Sequence, residues 1–207
     1  MHSKNLITAG LKLKEATKAL IMLHGRGNPA EDILSIAAYL HVKEFALIAP
    51  QASENSWYPY SFLVNPSENE PWLTSALGLL KNIVTDVTKA GIAPKDIYFI
   101  GFSQGACLAL EYATRNAQKF GGIAALSGGL IGDKIYTENY KGDFKKTPVF
   151  IGSSNPDPHI PVERVTASAE QLKKLNASMN LKIYPGLGHT ICQDELDQIN
   201  KLIFGKK

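Results

Sequence analysis

Gly101-Phe102-Ser103-Gln104-Gly105 sets a serine between two glycines, after an apolar run at 97–100 and before Gln104–Arg115, a stretch patterned as a helix. A serine hydroxyl is a weak nucleophile. It attacks a carbonyl carbon when a neighbouring base takes its proton and a third group orients that base. Gly-x-Ser-x-Gly at a strand-to-helix turn is the pattern of a nucleophile elbow, which holds the serine strained above a sheet. The glycines leave room for strand and helix to pack, and the helix N-terminus turns free N–H groups toward developing negative charge. A plain turn with a capping serine has the same local pattern, so the partners decide between the two readings.

On such an elbow the chain order is serine, acid, histidine. His159 and His189 follow Ser103. His189 comes after Gly186-Leu187-Gly188, just past the apolar run 181–184, where a strand's end can bring it over the nucleophile. His159 sits between Pro158 and Ile160 in a stiffer loop, so His189 is the expected base. Asp157 follows the run 147–151 through Gly152-Ser153-Ser154-Asn155-Pro156, and Asp133 follows the strand before that one. Ligands and catalytic groups of open α/β sheets gather beyond the strands' C-terminal ends. Asp157 is thus the expected acid and Asp133 the runner-up. Glu111, Glu163 and Glu170 fall within expected helices and read as surface charges.

An oxyanion hole needs two N–H donors. One is expected from the backbone of Gln104, the residue after the nucleophile. The other is expected from His24-Gly25-Arg26-Gly27, with Arg26 giving its backbone N–H while its side chain points outward, and His24 bracing the loop. Trp57, Tyr58, Tyr60, Phe62, Leu63 and Trp72 cluster in or beside the segment 50–70. Two readings stand for them. Trp57, Tyr58 and Phe62 form a substrate-binding wall for the acyl group, or the aromatics fasten the loop to the surface. Cys107 lies one helical turn after Ser103 and reads as a packed apolar residue.

These groups need a scaffold, and the apolar runs supply one. Lys18–Leu23, 45–49, 97–100, Gly122–Leu126, 147–151 and 181–184 read as strands, with 5–14 as an antiparallel edge strand. Asn28 is expected to cap the helix after the first of these runs, with Pro29 at its first position and Glu31 completing a capping box. Pro71 opens a long helix, and Val162, Val165, Ala169 and Leu172 mark another. The segment 194–204 closes the chain as a helix. Strands alternating with helices predict a mostly parallel sheet covered on both faces, in one domain over 1–207. The segments 50–70 and 128–146 are long loops, and the second is too short for a separate cap domain.

Composition narrows the function further. The chain has 207 residues, 44% hydrophobic and 20% charged, with a net charge of +3. Its basic residues are scattered, with only short pairs such as Lys145-Lys146 and Lys206-Lys207, so nucleic acid is not an expected partner. No run approaches a membrane span or a signal peptide, and a cytoplasmic location is expected. Cys107 and Cys192 form no disulfide framework and no C-x-x-C metal pair. No metal or cofactor is expected. The expected partner is a small-molecule ester, and the protein a monomer or homodimer.

Leu23-His24-Gly25-Arg26-Gly27, Gly101-Phe102-Ser103-Gln104-Gly105-Ala106, Asp157-Pro158-His159-Ile160-Pro161 and Gly188-His189 together resemble the phospholipase/carboxylesterase family of the α/β-hydrolase superfamily, which includes acyl-protein thioesterases and small bacterial esterases. The resemblance runs from about Leu20 to His189. It implies an α/β-hydrolase fold, serine esterase activity without a metal, and an oxyanion hole from the backbone of Arg26 and Gln104. Arg26 stands where an apolar residue is frequent in the thioesterases, and the stretch before Asp157 lacks the usual His-Gly. With Gln51-Ala52 and Trp57 through Phe62, these departures resemble the bacterial esterase branch. Thioesterase or lysophospholipase activity, or a non-catalytic binding protein on the same fold, are the alternatives.

Overall fold

A strand buried on both faces of a parallel sheet reads as a near-continuous apolar run. Lys18–Leu23 (β2) and Phe45–Pro50 (β3) are such runs, with every residue buried except the half-buried Lys18. The structure, a computed structural model, describes residues 1–205, so the Lys206-Lys207 pair lies outside the described residues. The remaining strands are Leu6–Gly10 (β1), Ile97–Phe102 (β4), Gly122–Leu126 (β5), Pro148–Asn155 (β6) and Ser178–Pro185 (β7). They form one sheet in the order β1-β3-β2-β4-β5-β6-β7. β1 runs antiparallel at one edge, as expected, and the other pairings are parallel.

Alternation along the strands feeds two cores. Ala19, Ile21 and Leu23 face one side, where Trp72–Lys89 (α2), Gln104–Arg115 (α3) and Val162–Lys174 (α4) pack. Leu20 and Met22 face the other, against Ala30–Ser35 (α1) and Gln193–Ile199 (α5). A π-helical turn, Asn200–Phe204, extends α5 and adds Ile203 to that second core. Among the described residues no helix is long and apolar enough to cross a membrane.

Local differences from the sequence reading have physical causes. Pro29 is the N-cap of α1 rather than its first helical residue. The Asn28 amide instead donates to Asp32 at 2.6 Å, and the Ala30 N–H is satisfied by Gln51 Oε1 at 2.7 Å. β6 continues to Asn155, through residues that read as loop, because Gly152–Asn155 stay paired with Lys182–Pro185 of β7. Ser153 and Ser154 are buried there, small enough to fit between the layers.

Glu111 corrects a second expectation. It is not a surface charge but fully buried within α3. One oxygen pairs with Arg115 Nε at 2.6 Å, and the other accepts from the Ile131 N–H at 3.0 Å and the Tyr140 hydroxyl at 2.9 Å. The carboxylate thus pins the long loop 128–146 to the helix that follows Ser103. Removing one partner of a buried charged network typically costs about 3–5 kcal/mol. Glu111→Ala is expected to lose stability in that range, read from the urea midpoint, with Glu111→Gln losing less. A midpoint equal to that of the parent would mean that the loop is held by other contacts.

Candidate active site

Ser103 ends β4 and begins α3 with φ 55° and ψ −120°, a conformation that L residues rarely adopt. Two glycines make the turn possible. A Cβ on Gly105 would lie 2.2 Å from the Leu23 carbonyl oxygen, and one on Gly101 would lie 2.4 Å from that of Gly105. The Ser103 N–H donates to the Leu126 carbonyl at 2.9 Å, which ties the turn to β5.

His189 arrives from beyond β7, in a loop with left-handed backbone at Gly186 (φ 66°) and Gly188 (φ 78°). The Gly188 N–H is held by Ser154 Oγ at 2.9 Å. The imidazole lies 5.0 Å from the Phe102 ring and 4.9 Å from the His159 ring. Its Nε2 is 2.8 Å from Ser103 Oγ and its Nδ1 is 2.8 Å from Asp157 Oδ2. A carboxylate can only accept, so Nδ1 carries the proton and Nε2 is free to accept the serine hydroxyl.

Asp157 lies just beyond β6 with its side chain fully shielded from solvent. Burial works against its charge, but hydrogen bonds from His189 and the His159 N–H outweigh it, with His189's charge and the Ile160 N–H adding to them. The carboxyl is held below the usual carboxylate range. The runner-up Asp133 is exposed, and its carboxylate accepts from Tyr136, outside this constellation. His159 contributes its backbone N–H to Asp157 Oδ1 at 2.8 Å and presents its ring at the cleft.

The backbone N–H groups of Arg26 and Gln104 take no acceptor among the described residues. Gly25, beside Arg26, approaches Ser103 so closely that a Cβ there would sit 3.5 Å from the serine Cβ. His24 braces this loop as expected. It is fully buried, Nδ1 donates to the Gly25 carbonyl at 2.8 Å, and Nε2 accepts the Ala52 N–H at 3.1 Å. Burial moves its pKa down, so the neutral tautomer that makes both bonds persists.

The model of the phospholipase/carboxylesterase family matches residues 10–204. The chain belongs to the phospholipase/carboxylesterase family. Acyl-protein thioesterase 1 of Saccharomyces cerevisiae is 28% identical, covering 96% of this chain and 97% of that one. The protein of the same name from Gibberella zeae is 35% identical over 124 residues, which are 59% of this chain and 53% of that one. The crystal structure of a phospholipase/carboxylesterase from Dyadobacter fermentans superposes with a TM-score of 0.97 at 53% identity, covering 98% of this chain and 97% of that one. The sheet is that of an α/β-hydrolase without a separate cap, and the family is one of hydrolases.

Within this family member the aromatic segment divides. Tyr58 and Phe62 line a cavity of about 530 Å³ that opens onto Ser103 and His189. Trp57 does not line it, which corrects the expected acyl wall. Its ring is fully buried 4.9 Å from that of His24, with Nε1 donating to the His24 carbonyl at 2.9 Å. An indole N–H seldom goes unpaired when buried, and this one finds its acceptor beneath the loop. Arg26 also departs from expectation. Its side chain is exposed but bends back, donating to the Pro59 and Tyr60 carbonyls at 2.5 Å each.

Sequence reasoning missed two further supports. The Gln104 side chain accepts the Trp57 N–H and donates to the Tyr58 carbonyl, both at 2.8 Å. His2 packs its ring 5.5 Å from both Trp57 and Trp72, accepts the Ser53 N–H and bonds the Trp57 carbonyl. No periodic pattern announces either. The fully buried Glu195, whose Oε2 accepts the Cys192 N–H at 2.9 Å, holds the segment just after His189.

Trp57→Ala is expected to cost about 3–5 kcal/mol of stability by leaving a cavity under the loop, measured by denaturant unfolding. An unchanged midpoint with altered acyl preference would restore Trp57 to the wall. Glu195 makes a pH prediction. Burial raises its carboxyl from 4.5 to about 7. A raised folded-state value contributes stability that is complete below 4.5 and lost as pH rises through about 7. Glu195→Gln is therefore expected to remove the decline in melting temperature across that window, and an identical pH profile in the variant would exclude the assignment.

Proposed function

We propose that this family member is a serine carboxylesterase that hydrolyses small carboxylic esters through an acyl-enzyme on Ser103. The observation that carries the reading is the unbroken chain from Ser103 Oγ to His189 to the shielded Asp157, with links of 2.8 Å and 2.8 Å. His189 Nε2 takes the serine proton as Oγ attacks the ester carbon. Asp157 keeps the imidazole in the required tautomer and stabilises its charged form. The Gln104 and Arg26 N–H groups receive the developing oxyanion. His189 then gives its proton to the departing alkoxide, which leaves as the alcohol. In the second half a water loses its proton to His189, attacks the acyl carbon, and releases the acid with the proton returning to Ser103.

Tyr58 and Phe62 are proposed as apolar contacts for the substrate. The same chemistry cleaves a thioester, and the likeness to proteins named acyl-protein thioesterase supports including thioesters in the assay. Labelling by a fluorophosphonate probe, followed by kinetics on esters and thioesters of graded acyl length, tests the reading. Ser103→Ala and His189→Ala are each expected to lower turnover on the order of 10⁴-fold or more. Asp157→Asn should depress turnover severely while Asp133→Asn leaves it nearly unchanged. Near-parental turnover in Ser103→Ala would sink the mechanism, and a Ser103 that the probe does not label would favour a binding protein instead.

A further inference from the structure

Two cavities meet at His189, the larger of them opening onto Ser103, and their charges differ. The larger, about 530 Å³, is lined by Arg26, His159, Ser61 and Asn28 among its polar groups, and by no aspartate or glutamate among the described residues. The smaller, about 260 Å³, carries the Asp32 carboxylate among Ile33, Ile36 and Ile191. Gly25, Asn28, Phe102 and His189 border both, so a substrate spanning the two meets a cationic side and an acidic one.

Arg26 is prepared for a ligand. Its two terminal nitrogens are fixed by the Pro59 and Tyr60 carbonyls, which order the guanidinium without neutralising it. It forms no ion pair among the described residues. A guanidinium has five N–H donors, and only two are engaged here. His159 lies on the same cavity with its ring exposed, and its side chain takes no hydrogen-bond partner among the described residues. In the smaller cavity, Asp32 holds an acceptor-only carboxylate fixed by Asn28 at 2.6 Å, which disfavours an anion on that side.

We propose that this site selects esters bearing an anionic group, first of all a carboxylate, which Arg26 and His159 hold in the larger cavity while the uncharged part of the ester lies toward Asp32. The inference rests on the ester-hydrolase reading above and adds to it the chemical class of substrate. Charge-assisted hydrogen bonds to a pre-ordered guanidinium are the strong kind, and their exposure makes them sensitive to salt.

The test compares kcat/KM for matched pairs on the intact protein. In one arm the carboxylate is on the acyl part, mono-p-nitrophenyl adipate against p-nitrophenyl hexanoate. In the other it is on the alcohol, 4-(carboxymethyl)phenyl hexanoate against phenyl hexanoate. At low salt the anionic member is expected to be preferred by about tenfold or more in one arm, which also identifies the half that enters the larger cavity. The preference should fall several-fold as salt rises, and Arg26→Leu should reduce the anionic-to-neutral ratio about tenfold, with Arg26→Lys keeping part of it. The ratio is the readout because the substitution also loosens the Pro59–Tyr60 turn and changes both rates. If the neutral member is preferred in both arms, or the ratio ignores salt and Arg26→Leu, the proposal is overturned while the esterase reading stands. If none of the four esters is hydrolysed, both fall.

Discussion

Ser103 is held at φ 55° because helix α3 presses against the ends of β2 and β4 with no side chain between them. The contact between Gly105 and the carbonyls of Leu23 and His24 brings the start of the helix within reach of the loop after β2. Both unpaired N–H donors, of Gln104 and Arg26, owe their nearness to the serine to that approach. A methyl group at Gly105 would separate them and relax the turn together. The strain at the serine is stored by packing, and the surrounding apolar cores supply the free energy that maintains it.

Polar groups buried around the turn are organised in pairs of complementary need. Burial removes water from His24, Gln104, Glu111 and Asp157, so each must find its donors or acceptors within the protein. Each finds them on a loop. His24 and Gln104 hold the segment from Ala52 to Tyr58, Glu111 holds Ile131 and Tyr140, and Asp157 holds His159, Ile160 and His189. Long loops that carry only single helical turns thereby become fixed walls. Cys107 fits the same logic from the opposite side. With burial pushing its thiol up to about 12, it is a packing atom one helical turn from Ser103 rather than a reactive thiol.

The strands, and the loops that bring Ser103, Asp157 and His189 within hydrogen-bond reach, were legible because short apolar runs and glycine-punctuated turns follow local rules. α3 and β5 have the bounds that their patterns predict. What was not legible depended on contacts distant in sequence. Ser153 and Ser154 look like loop residues until β7 pairs with them. Glu111 looks like a helix-surface charge until the loop 128–146 folds over it, and Trp57 looks available until His24 and His2 enclose it. A side chain's type is a local property, whereas whether it faces water is decided by chain segments tens of residues away.

The loop after β2 and the segment from Ala52 to Tyr60 are stitched together at several points: Ala52 to His24, Asn55 to Gly27, Trp57 to His24, and Pro59 and Tyr60 to Arg26. The two are thus cross-linked by hydrogen bonds on either side of the cavity that opens onto Ser103. A segment transplanted from a relative to reshape the cavity would arrive without its matching stitches unless His24 through Gly27 and Gln104 travelled with it. Inheritance should respect the same bond: residues at these two places, far apart in the chain, are expected to change together or not at all.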